Sequence, residues 1–214
     1  VDGDLKDIPN AVIKDNFDNV YLVHQGKTNI SKGTSICKAY INHGYDIING
    51  AKYAYSWLIK PTEKQVQDYS SNRPIIILSQ NDTAHAVYHS KENVLAASIF
   101  KANTIVDIQE IHQVNKPLIL MLKKEEEENL YELAFSDPDF NRRSAKNTDK
   151  ITPEIEALPS QPSKIVVELN GDFYKADNTE SKINVTFSSD ITTISYDSAC
   201  EGKTYRVLLK KNDS

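Results

Sequence analysis

Short runs rich in Val, Ile, Tyr, Phe and Thr recur along this chain at intervals of about ten residues, with polar turn clusters between them. Runs that short bury an apolar side by pairing into sheets that stack on one another. The predicted fold class is therefore all-β: an antiparallel β-sandwich followed by a small C-terminal β-sandwich domain. The predicted strands cover 20–23, 35–42, 53–59, 75–79, 84–89, 94–100, 104–113, 118–123 and 129–136, then 165–169, 172–175, 182–188, 192–196 and 204–209. One helix is predicted, over 62–69, where Thr62 follows Pro61 and is placed to cap. Between Arg143 and Ser163 the composition turns polar, with Pro153, Pro159 and Pro162, which predicts a linker or strap over 144–163. The strand ending Val166-Val167-Glu168-Leu169 runs into Asn170-Gly171, a hairpin signal, because a type I′ turn needs positive φ at both central positions. A first domain over 1–143 and a compact β domain over 164–214 follow from these breaks.

Charge and composition exclude several function classes. Thirty acidic residues against 25 basic ones give a net charge of −5, the wrong balance for a nucleic-acid-binding surface. It also weighs against a general polyanion grip. No apolar run reaches the ~20 residues of a membrane-spanning helix, and no signal-peptide pattern opens the chain. The chain starts at Val1, which suggests a processed chain or an excised piece. Cys37 and Cys200 lack paired CxxC spacing, so zinc is not indicated; two idle thiols or one long-range disulfide both remain open. Asn29, Asn81 and Asn184 stand in three-residue glycosylation patterns, which matter only in a eukaryotic secretory host. The acidic block 125–128 after Lys123 and Lys124 is expected to be an exposed hairpin turn.

Few residues combine into chemistry. His85 and His89 share a strand side but lie ~13 Å apart along it, too far for one metal ion. Asp137, Asp139 and Asn141 alternate like calcium ligands, yet Pro138 and the missing glycine and distal Glu favour an Asp-Pro turn. His43 with Tyr45, Tyr53 and Tyr55 has the residue types of a proton-transfer pair, but a His-Gly turn beside a strand accounts for them. Tyr53, Tyr55 and Trp57 alternate along one strand side, and the expectation is that this row packs a buried sheet face. No GxGxxG, GxxxxGK or GxSxG occurs. No metal site and no cofactor are predicted.

The stretch His43-Gly44-Tyr45-Asp46-Ile47-Ile48-Asn49-Gly50, leading into Tyr53-Ala54-Tyr55-Ser56-Trp57-Leu58-Ile59-Lys60-Pro61, resembles polysaccharide lyase family 8, the chondroitin ABC lyase and hyaluronate lyase family. There a His-Gly motif leads into a Tyr-x-Tyr strand ending near a proline. The likeness extends through Asn72-Arg73-Pro74-Ile75-Ile76-Ile77-Leu78-Ser79-Gln80-Asn81-Asp82-Thr83-Ala84-His85-Ala86-Val87. It continues at Val114-Asn115-Lys116-Pro117-Leu118-Ile119-Leu120-Met121 and Ala134-Phe135-Ser136-Asp137-Pro138-Asp139-Phe140-Asn141. Val166-Val167-Glu168-Leu169-Asn170-Gly171 is similar to the final β domain of broad-specificity chondroitin ABC lyases.

The resemblance implies the C-terminal part of a longer bacterial enzyme, secreted or periplasmic, that acts on glycosaminoglycans such as chondroitin sulfate or hyaluronan. On that reading 1–143 ends the family's large β-sandwich region, and the partners are the polysaccharide and the upstream catalytic domains. The family's chemistry is β-elimination, carried by Asn, His, Tyr and Arg of a helical toroid with a Glu from the early central sheet. None of these has a counterpart here, so the catalytic list is empty and the fragment alone is expected to be inactive. Two other readings stay open: an autonomous carbohydrate-binding module and an adhesin-like structural sandwich. The former needs exposed rings, for which Tyr55, Trp57, Tyr88 and Tyr174 are the candidates.

Overall fold

The structure is a computed structural model that describes residues 8–9, 12–15, 17–25, 27–32, 37–42, 52–126, 129–138, 163–176, 182–198 and 203–212. The chain forms two compact units, Val1–Arg73 and Pro74–Ser214. Among the described residues every strand pairing is antiparallel and one short helix forms.

In the first unit, β1 (Ile8–Pro9), β4 (Lys27–Lys32) and β5 (Cys37–Asn42) make one three-stranded sheet. A second sheet joins β2 (Val12–Lys14), β3 (Val20–Gln25) and β6 (Ala54–Leu58) in the order β2-β3-β6. Helix α1 (Glu63–Ser71) starts where predicted and runs two residues further. Its capping box is complete: Thr62 Oγ1 accepts from Gln65 N and Gln65 Oε1 accepts from Thr62 N, at 3.2 and 2.8 Å. Strands β2 and β4 were not predicted, since Val12-Ile13-Lys14 is too short to show a period and Lys27–Lys32 is mostly polar. Pairing with β3 and β5 supplies what local sequence lacks.

The second unit is a sandwich of two sheets. The seven-stranded sheet has the order β15-β18-β13-β12-β9-β8-β7. Its strands are β7 (Ile75–Gln80), β8 (Ala84–His89), β9 (Val94–Ile99), β12 (Leu118–Lys124), β13 (Leu130–Ser136), β15 (Phe173–Lys175) and β18 (Thr204–Lys211). The five-stranded sheet, β10-β11-β14-β17-β16, is built from β10 (Thr104–Ile108), β11 (Ile111–Val114), β14 (Ser163–Asn170), β16 (Asn184–Ser188) and β17 (Ile191–Ser198). Register explains the core. Ala86, Ala97, Leu120, Phe135 and Tyr205 stand opposite one another across five strands and are all buried. Val167 and Ile194 face them from the other sheet, and the Tyr196 and Tyr205 rings meet across the interior at 4.0 Å.

Three expectations are corrected here. The run predicted as one strand over 104–113 is two, because Asp107 and Gln109 take positive φ (41° and 52°) and turn the chain. The segment 164–214 is not a separate domain: β14 pairs with β11 and β18 pairs with β13, so its strands are woven into both sheets. An edge of each sheet offers unpaired backbone groups, and the returning chain satisfies them. Nor does Asn170-Gly171 close a hairpin. Gly171 adopts φ 106°, and the chain crosses from β14 in one sheet to β15 in the other, where β15 pairs with β18. Most of the predicted linker, 144–162, lies outside the described residues.

Asp137, expected in an Asp-Pro turn, is enclosed by the protein. It is buried at the end of β13 and forms an ion pair with Lys116, whose Nζ also donates to Ser163 Oγ at 3.0 Å. One lysine thus holds the end of β13 and the start of β14 together. Asp139 and Asn141 lie outside the described residues, as do Cys200 and the 43–50 motif.

Candidate carbohydrate-binding face

The β2-β3 connection is a tight turn organised by Asp15. Its Oδ1 accepts from Phe17 N at 2.8 Å and Asn19 N at 2.9 Å, and its Oδ2 accepts from Asn19 Nδ2 at 2.9 Å. These bonds favour the charged form, the Asn19 side chain contributing most, and hold the Asp15 carboxyl below the ordinary carboxylate range. Asp18 completes the turn at φ 67° and pairs with Lys14 at 2.9 Å. The turn sets the β2-β3 register, with Ile13 opposite Tyr21; on its other side β3 pairs with β6, placing Tyr21 opposite Trp57 and Val23 opposite Tyr55.

Strand alternation sorts the side chains of this sheet. On one side lie Val20 and Leu22, both buried, with half-buried Leu58 and Ser56. Ser56 Oγ meets the Tyr69 hydroxyl of α1 at 2.6 Å. On the other side stand Tyr21, Tyr53, Tyr55 and Trp57. The Tyr21 and Trp57 rings are parallel within 4° at 5.9 Å, and Tyr53 and Tyr55 within 11° at 6.5 Å. Tyr21 is half-buried and its hydroxyl donates to Asp15 Oδ2 at 3.3 Å. Tyr53, Tyr55 and Trp57 are 50, 55 and 56% exposed. The expectation that this row packs a buried sheet face is therefore overturned. Alternation was predicted correctly, but which side is covered depends on what packs against the sheet, and α1 contacts the Ser56 side.

Of the four ring candidates, Tyr55 and Trp57 come together on this face. Tyr88 packs against the core of the second unit, its hydroxyl donating to Asn93 Oδ1 at 3.0 Å. Tyr174 is exposed on β15, also in the second unit. Tyr21 was missed; a strand was expected over 20–23, but only the pairing of β3 with β6 places Tyr21 beside Trp57.

His85, His89 and His112 serve separate roles. The His85 ring meets Phe100 edge-on at 5.0 Å, and His89 Nδ1 accepts from Glu92 N at 3.2 Å. His112 Nδ1 is 2.7 Å from Asp107 Oδ1, and this hydrogen bond lowers the Asp107 carboxyl. Among the described residues no three His, Cys, Asp or Glu side chains gather as a metal site, and no helix is long and apolar enough to cross a membrane.

Residues 76–146 match the family model described as "Polysaccharide lyase family 8, C-terminal beta-sandwich domain". Among curated protein sequences none matches the chain. Among solved structures, the chain is similar to a chondroitin AC lyase of Streptomyces coelicolor A3, with 11% identity and a TM-score of 0.58, covering 95% of this chain and 27% of that one. It is also similar to a Paenibacillus xanthan lyase, with 17% identity and a TM-score of 0.60, covering 92% of this chain and 18% of that one. At these identities the likeness shows the fold. The chain spans about a quarter of the first enzyme's length and under a fifth of the second's.

Proposed function

We propose, from the match of residues 76–146 to the C-terminal β-sandwich domain of polysaccharide lyase family 8, that the chain is the non-catalytic C-terminal portion of a bacterial, secreted or periplasmic glycosaminoglycan lyase. The observation that carries the reading is where the matched segment lies. It begins in β7 and runs through β13, so it supplies five strands of the seven-stranded sheet and β10 and β11 at one edge of the other, and its inward side chains are spent on packing. A sandwich filled in this way is a scaffold. In the parent enzyme a base would take the proton α to the uronate carboxylate and the resulting enolate would be stabilised by hydrogen bonds. An acid would then protonate the departing glycosidic oxygen. The resemblance carries none of those groups onto this chain.

The test is the ultraviolet absorbance of the unsaturated uronate product, measured with chondroitin sulfate and with hyaluronan. The parent enzyme is expected to generate the product and this chain alone is not. Product from the isolated chain would overturn the non-catalytic reading, and a parent inactive on both polymers would overturn the glycosaminoglycan reading. The exposure of Tyr55 and Trp57 favours a second role beside the scaffold, contact with the polymer.

A further inference from the structure

We propose that the ring face of the β2-β3-β6 sheet is a buried layer in the parent enzyme, covered there by an uncharged apolar sheet face of the polypeptide that precedes this chain. The inference rests on the reading of the chain as a C-terminal portion, and it names the surface through which that portion joins the rest. Ile13 stands opposite Tyr21, Tyr21 opposite Trp57 and Val23 opposite Tyr55, so all five share the ring side. Val23 is buried and Ile13 and Tyr21 are half-buried, whereas Tyr53, Tyr55 and Trp57 stand half open. On the opposite side Val20 and Leu22 are buried as well. An antiparallel sheet with one face in water alternates apolar with polar residues, and apolar side chains on both sides mark a sheet that is packed on both.

Charge and size narrow the occupant. The ring-side positions Ile13, Tyr21, Val23, Tyr55 and Trp57 hold no cation, and the charge beside them is the Asp15 carboxylate, which accepts from the Tyr21 hydroxyl. An anionic polymer, the other occupant that ring exposure favours, finds no counter-charge among these positions, whereas an apolar protein layer needs none. A second copy of the chain would bring another Asp15 carboxylate to a face that already has one. At ~150–250 Å² for a whole aromatic side chain, three half-open rings leave roughly 300 Å² of surface. The smallest interdomain interfaces bury about 300 Å² on each side. Tyr53, Tyr55 and Trp57 also recur at every second residue, the spacing with which one sheet meets another stacked on it. The covering layer has room to exist: this chain covers 27% and 18% of the two similar solved lyases, and its family match is to a C-terminal domain, so a parent of such length carries most of its residues upstream.

The test is hydroxyl-radical footprinting read by mass spectrometry, on the isolated chain and on the parent enzyme at matched dose, with the same parent sample assayed for the unsaturated uronate product. Tyr53, Tyr55 and Trp57 are expected to label strongly in the isolated chain and several-fold less in the parent, with or without added polymer. Trp57→Ser should leave the melting midpoint of the isolated chain nearly unchanged, because the ring is open there, and should lower that of the parent by several degrees. Should this variant fail to fold in the parent, the labelling decides. A parent that forms product while its rings label as strongly as in the isolated chain overturns the inference and leaves the lyase reading standing. Protected rings in a parent that forms no product on either polymer support the inference and overturn the glycosaminoglycan reading. Protection that appears only when chondroitin sulfate is added gives the face to the polymer, and protection in the isolated chain that rises with its concentration gives it to a second copy; either result overturns the covering layer.

Discussion

Lys116 is a residue whose loss should destabilise the second unit. Its ammonium sits between Asp137, whose side chain is 1% exposed, and Ser163, and is itself 19% exposed. Replacing Lys116 by Met keeps the stem and removes the charge, so the buried Asp137 carboxylate loses this cation. Breaking a buried pair in this way costs about 3–5 kcal/mol, and the partial access of Lys116 to water places the expected loss at the lower end, ~3 kcal/mol. For a unit of this size that corresponds to a fall in Tm of about 10 °C. Trp57 lies in the other unit, so unfolding should be followed by circular dichroism rather than tryptophan emission. A double-mutant cycle with Asp137→Asn isolates the pair, and a coupling of about 2–3 kcal/mol is expected. A coupling below ~0.5 kcal/mol would refute the argument that this lysine joins the end of β13 to the start of β14.

Three further outcomes follow from the same structure. Leu133→Ala, at a fully buried position between Leu122 and Val207, should destabilise by about 3–5 kcal/mol in urea unfolding. Gly171→Ala should cost about 1 kcal/mol or more: φ 106° is strained for an L side chain, and the added methyl would meet Lys211 Cε at 3.2 Å. Because that lysine is flexible, Lys211→Ala should not rescue the variant in thermal melts if backbone strain is the cause. The Asp15 carboxyl is held below its ordinary value, so the order it gives the β2-β3 turn is complete above the unfolded-state pKa and lost as pH falls through the depressed folded one. An NMR titration should show the Phe17 and Asn19 amides shifting together in acid, and Asp15→Asn should abolish that step.

Much of the architecture was legible in the residues. Alternation in Leu118–Lys124 and Leu130–Ser136 marks strands whose even and odd positions part cleanly between core and surface, and Thr62 with Gln65 announces the start of α1. Local pattern reaches no further than which side chains share a side. In Ala54–Leu58 it grouped Tyr55 with Trp57 correctly and yet assigned the group to the core, because burial is decided by what packs on the sheet. Asn170-Gly171 shows the same limit: the dipeptide marks a sharp turn, but whether the next strand folds back or crosses to the other sheet depends on the open edge that β18 offers to β15.

The sequence by itself determined an all-β chain and the position of most strands, since these follow from periodicity and turn chemistry. Tertiary structure alone decided that the last fifty or so residues complete both sheets of one sandwich, that Lys116 meets Asp137 across 21 positions, and that Tyr21 joins Tyr53, Tyr55 and Trp57 on an open face. Each is a contact between residues distant in the chain, and such contacts are set by pairing register and layer packing, which no local window of residues contains.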